Sequence, residues 1–200
     1  MRLIQNALIL SISGCMTIMA LSCAAPSALG GSETTTPDKT ALNSKLEARL
    51  DRLESLEQIR SLKHTYAKYC DENYNPEKLK TLFWDDAVWD AGPQFGEHKG
   101  PEAIGKFFAQ ISGSFLWARH YVVNERIELS EDGNSARGEW QIIEPCTLKG
   151  EQGPEASWLI AQYNDMYTRR DGVWKFQRLQ ADIDFMVPYA KGWGEATTPK

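Results

Sequence analysis

Clustered basic charge is missing from this chain. Its 22 Lys and Arg residues are outnumbered by 27 Asp and Glu, a net charge of −5 over 200 residues. With no basic patch to neutralise phosphates, nucleic acid and anionic membrane surfaces are not expected partners. Cysteine is scarce too, with four residues, two of them (Cys15 and Cys23) near the N-terminus. The other two, Cys70 and Cys146, stand far apart with no CxxC pair, so no metal site is expected. Acidic residues are absent from positions 1–23, and Pro and Gly are absent from Ser44 to Asp71. The first absence marks a leader and the second a long helix.

Residues 1–23 carry Arg2 and then an apolar run from Ala7 to Leu21 that ends in small residues. That is the layout of an export signal, and the run is too short and too soon interrupted to span a bilayer. Ala20-Leu21-Ser22-Cys23 resembles a bacterial lipoprotein cleavage box, so lipidation at Cys23 is expected. Ile12-Ser13-Gly14-Cys15 has the same residue types but leaves a very short apolar run, broken by Gln5 and Asn6. Ordinary cleavage just after Cys23 is the alternative. Both place the protein outside the cytoplasm, in the periplasm or as a membrane-anchored lipoprotein whose lipid is its one membrane contact. Without residues 1–23 the chain keeps 21 basic and 27 acidic residues, a net −6. Residues 24–44, rich in Ser, Thr, Pro and Gly, read as a flexible linker. Residues 45–188 read as one domain and 189–200 as an irregular tail.

From Ser44 to Asp71 strong helix formers predict one or two continuous helices. Leu46, Leu50, Leu53, Leu56 and Ile59 recur every three or four residues. This is either an amphipathic helix lying on its own domain or an arm that docks a neighbouring subunit. Asn73-Tyr74-Asn75-Pro76 stops the helix, and a second short helix follows around Glu77–Phe83. Ala87–Asp90 reads as a strand, and Gly100-Pro101-Glu102 opens a helix to about Ile111. Next come strands at Tyr121–Leu129, Ala136–Thr147, Ser157–Arg170 and Val173–Val187. Asp132-Gly133 and Asp171-Gly172 supply hairpin turns between the first and last pairs. Helices followed by a meander give an α+β fold, with the helices covering one face of a curved antiparallel sheet.

The ordered motifs resemble the SnoaL-like family of the nuclear transport factor 2-like superfamily. They are Ile59-Arg60-Ser61-Leu62-Lys63 running to Tyr66 and Asp71, an isolated His120 opening a strand, and Ala136-Arg137-Gly138-Glu139-Trp140 with Glu144 beyond. Tyr163-Asn164-Asp165-Met166-Tyr167 and Asp171-Gly172-Val173-Trp174-Lys175 complete the series. The likeness covers about Leu53 to Met186 and is nearest to bile acid 7α-dehydratase-type and scytalone dehydratase-like proteins. It implies a cone-shaped α+β domain around a small-molecule pocket, with Tyr66, Asp71, His120 and Glu144 as catalytic residues. It also implies a homo-oligomer, dimer or trimer. Glu144 departs from the Asp of the bile acid enzymes and is followed by Pro145, which is expected to end normal strand pairing there. Those enzymes are cytoplasmic and this chain reads as exported, so neither a coenzyme A thioester nor the bile acid reaction carries over.

On physical grounds, residues advance about 100° each along a helix, so Tyr66 and Asp71 converge only if the helix turns inward at Asp71. Strand alternation puts Trp140, Ile142 and Glu144 on one face. Cys146 continues that face if Pro145 causes no bulge. His120 beside a carboxylate suits proton transfer near neutral pH, as elimination and isomerisation require. On spacing alone a structural histidine at a strand start is the favoured reading, and it is the resemblance that turns it into a catalytic one. Asp71 would orient His120 or accept a proton itself, and two acids in an apolar cone are expected to have raised pKa values. His64 and His98 read as surface residues. Trp89, Phe107, Trp117 and Trp140 are the candidate pocket walls, with Tyr163 and Tyr167 as a polar fringe. Cys70 and Cys146 each neighbour a site acid and could meet in a disulfide. The function expected is a cofactor-independent dehydratase-type lyase acting on a small hydroxylated, largely apolar ring compound. An isomerase or cyclase with the same site, or a non-catalytic exported ligand-binding module, are the alternatives.

Overall fold

The computed structural model describes residues 39–194. The segment read as an export signal, Cys23 and residues 24–38 of the segment read as a linker lie outside the described residues, as do 195–200 of the tail. Helix α1 spans Lys39–Asp71 as one element. It therefore begins inside the segment read as linker, because nothing after Pro37 breaks it.

Two consecutive left-handed residues, Asn73 (φ 61°) and Tyr74 (φ 49°), end the chain's run after α1. The Tyr74 amide donates to Cys70 O at 2.8 Å and the Asn75 amide to Tyr69 O at 3.1 Å, occupying carbonyls the helix leaves open. Asn75 then caps α2 (Pro76–Leu79) by accepting from the Lys78 amide at 3.1 Å. A 3₁₀ turn over Lys80–Leu82 leads into β1 (Phe83–Asp90), so the second helix is shorter than expected. A four-residue helix α3 (Gly92–Phe95) and a short strand β2 (Glu97–Lys99) precede α4 (Gly100–Ile111).

β3 (Phe115–Ala118), β4 (Tyr121–Leu129), β5 (Ser135–Gly150), β6 (Gly153–Arg170) and β7 (Val173–Pro188) follow. The curved, unclosed sheet runs β2-β1-β7-β6-β5-β3, with β4 also on β5. One pairing departs from the expected antiparallel meander. β1 lies parallel to β7, since the chain crosses through α3, β2 and α4 before the meander begins. The Asp171-Gly172 turn has both residues at positive φ, 51° and 79°, as a tight hairpin requires. α1 packs across β4 and β7, and α4 covers β1.

Under α1 sits a charged pair the sequence did not disclose. Lys63 Nζ meets Asp165 Oδ2 at 2.8 Å, and both side chains are fully buried. Lys63 also lies 3.3 Å from the centre of the Tyr163 ring. Tyr167 donates to Asp165 Oδ2 at 2.7 Å and accepts from Trp140 Nε1 at 3.1 Å. Burial lowers the Lys63 pKa and raises that of Asp165, while their mutual attraction opposes both shifts. Gly138 leaves room for this cluster: a Cβ there would meet the Tyr167 ring at 2.8 Å.

Candidate active site

Pro145 does not end its strand. β5 continues through it, and Trp140, Ile142, Glu144 and Cys146 all stay on the buried face. The reason lies in the neighbouring strand. Pro145 O accepts from the Arg119 amide at 3.1 Å, so the N–H that proline lacks would face the same edge. On that edge β3 stops at Ala118 and β4 starts at Tyr121. The missing donor therefore falls at the break, and the break carries Arg119 and His120.

His120 enters the interior there and is held from both sides. Its Nδ1 lies 2.9 Å from Asp71 Oδ1, and its backbone amide donates to the same oxygen at 2.9 Å. Arg119 donates to Asp71 Oδ2 at 3.2 Å. On the other side, His120 Nε2 faces Glu144 Oε2 at 3.3 Å. Glu144 Oε1 accepts from the Tyr74 hydroxyl at 2.8 Å. The row runs Arg119, Asp71, His120, Glu144, Tyr74, from an open groove to a buried cavity.

Partial burial by itself would raise the Asp71 pKa. The hydrogen bonds from the His120 ring and amide and from Arg119 outweigh it and hold the carboxyl below its ordinary value. The expectation of two acids raising each other is thus corrected, because the imidazole stands between them. Burial, then the nearby Glu144 charge, pushes the Tyr74 hydroxyl well above its usual range, so it remains a donor.

The cavity is lined by Tyr66, Tyr74, Trp89, His120, Glu144 and Tyr163, closed by Phe95, Phe107, Phe108, Phe115 and aliphatic side chains. Its free space is about 50 Å³, enough for a few waters at roughly 10–15 Å³ each. A ring-sized ligand must displace wall side chains. Phe95 is placed to do so, on α3 between Gly92 and Gly96, both at positive φ. Asp71 does not line the cavity. It lines the outer groove with His64, Lys68 and Arg119, and His120 borders both spaces.

Tyr66, Trp89, Phe107 and Tyr163 therefore reach the cavity as expected, and the Tyr66 hydroxyl accepts from Trp89 Nε1 at 3.0 Å. Two expected wall residues, Trp117 and Trp140, and one expected fringe residue, Tyr167, do not. Trp117 is 48 % exposed, because in the short β3 it is Phe115 and Ala118 that turn inward, and Phe115 takes the wall position. Trp140 and Tyr167 are buried in the Lys63–Asp165 cluster instead, each engaged by the other. Tyr74 was missed. It sits in the helix-stop turn, where no periodicity assigns a face, and its only signal was an aromatic residue at a strained turn.

His64 is exposed as expected, but His98 is not a surface residue. It belongs to β2, stacks on Phe107 at 4.3 Å and bonds Phe95 O at 2.9 Å. Cys70 and Cys146 are both free and buried. Burial, then the Glu144 charge, raises Cys146 to about 12 and Cys70 well above its usual range, so both remain thiols rather than the thiolates disulfide formation needs.

The chain is similar to known proteins in both sequence and structure. A hexachlorocyclohexane dehydrochlorinase from Sphingobium indicum strain B90A is 29% identical over 151 residues, covering 70% of this chain and 89% of its own. The gamma-hexachlorocyclohexane dehydrochlorinase of strain UT26 is 30% identical over 147 residues, covering 70% and 88%. The crystal structure of LinA superposes with a TM-score of 0.65 at 29% identity, over 76% of this chain and 99% of that one. A putative scytalone dehydratase from Novosphingobium aromaticivorans gives 0.62 at 25% identity, over 70% and 90%. These dehydrochlorinases are lyases. The SnoaL-like domain profile matches residues 51–180, more than half of the chain, and the protein belongs to that family.

Proposed function

We propose that the protein is a lyase that removes water from a small, hydroxylated, largely apolar ring compound by acid–base chemistry alone. The observation that carries the reading is His120 Nε2 at 3.3 Å from Glu144, an imidazole and a carboxylate side by side at one end of an aromatic cavity. Asp71 accepts the Nδ1 proton and so fixes the tautomer that leaves Nε2 free to take a proton. A carbonyl beside the reacting C–H makes that proton acidic, and Tyr66 or Tyr163 can donate to its oxygen as negative charge grows there. The C–H electrons form the double bond, the C–O bond breaks, and the imidazolium passes the proton it has just taken to the departing hydroxide, giving water. Glu144 as a carboxylate steadies the imidazolium between the two transfers, and both groups end as they began.

Removal of HCl is the second reading, favoured by the dehydrochlorinase relatives. Chloride leaves without a proton and makes no use of the imidazolium as an acid, whereas hydroxide takes that proton back, and this is why water is preferred. The protein should be offered a panel of cyclic β-hydroxy ketones alongside gamma-hexachlorocyclohexane. Enone formation without chloride release is expected. His120→Ala should lower turnover roughly 10²–10⁴-fold while the circular dichroism spectrum stays unchanged. Chloride release with no turnover of any hydroxy ketone would overturn the dehydration.

A further inference from the structure

The first half of α1 carries an apolar seam that its own domain does not use. Leu42, Leu46, Leu50 and Leu53 are 48 to 63 % exposed, and every residue from Lys39 to Glu54 lies open to solvent. The seam is not an overhang of the buried face. At 100° per residue the four leucines cluster in one sector. The residues that α1 buries, Ser55, Ile59, Lys63, Tyr66, Ala67 and Cys70, centre roughly 120° away around the axis. On the arm that second direction holds Ala41, Lys45, Ala48 and Arg52.

We propose that this arm pairs with the same arm of a second copy, in parallel, as a short two-stranded coiled coil. Heptad spacing puts Leu46 and Leu53 at d, and Asn43 and Leu50 at a. A polar Asn at one a position selects register in a parallel pair. Arg49 then falls at g and Glu54 at e, five residues on, where a parallel pair joins g of one strand to e of the other. Neither has an ion-pair partner among the described residues. An antiparallel pair would instead set the Arg49 flank against its own copy. The occupant is therefore a second copy of this chain, in one orientation. The assembly is a dimer, and it rests on no part of the proposed chemistry.

Sedimentation equilibrium on the protein tests this. A concentration-dependent dimer is expected, with Leu46→Ser/Leu50→Ser raising its dissociation constant at least roughly 100-fold, since each copy loses two buried leucines. Both sites are exposed in a single copy, so the melting of the dilute monomer should not change. Arg49→Glu should weaken the dimer, and Arg49→Glu combined with Glu54→Arg should restore it. A protein that is monomeric throughout, or an oligomer indifferent to the serines, would overturn the proposal. Failure of the charge exchange to rescue would overturn the parallel pairing.

Discussion

Asp71 holds His120 through both the ring and the backbone amide, and takes Arg119 on its second oxygen. Its folded-state pKa is depressed, which fixes the sign of its pH dependence. Above the ordinary value of 3.8 the carboxylate stabilises the fold, and that contribution is lost as pH falls through the lower folded-state value. The melting temperatures of the protein and of Asp71→Asn should therefore differ above pH 3.8 and converge below it. A difference independent of pH would show that Asp71 contributes no ionised partner to His120. Asp71, His120 and Glu144 were all legible in the sequence through the family motifs. Their order in space was not, because His120 reaches the interior at a strand break whose cause, Pro145, sits on the next strand.

Elements were legible in proportion to how local their signals were. Two of the hairpins, β4–β5 and β6–β7, announced themselves through Asp-Gly turns, and the β4 boundaries follow from its own residues. The parallel β1–β7 pairing follows from contacts about ninety residues apart, which no local pattern encodes. Short strands misled most: β3 is only Phe115–Ala118, too brief for alternation to say that Trp117 faces out. The Lys63–Asp165 bridge between α1 and β6 was equally hidden, since a lysine in a charged helix reads as surface. Removing one partner strands a buried charge, so Lys63→Met should cost about 3–5 kcal/mol in chemical denaturation. Lys63→Met/Asp165→Leu should recover much of that loss. If the single variant is as stable as the parent, the bridge carries no weight between helix and sheet.

At the scale of the whole molecule, the domain is a chamber with a polar end. We propose that the protein is exported and lipidated at Cys23. Mass spectrometry of the mature N-terminus should find a diacylglyceryl-modified Cys23, and Cys23→Ser should release the protein from the membrane fraction. An unmodified N-terminus a residue or two later would leave export standing and remove the anchor. α1 bears on this arrangement, because its 33 residues form one helix, about 50 Å long at 1.5 Å per residue. The leucine seam is near one end, and Tyr66 and Asp71 are at the other. The arm that bears the seam and the carboxylate that aims the imidazole are thus opposite ends of one uninterrupted rod.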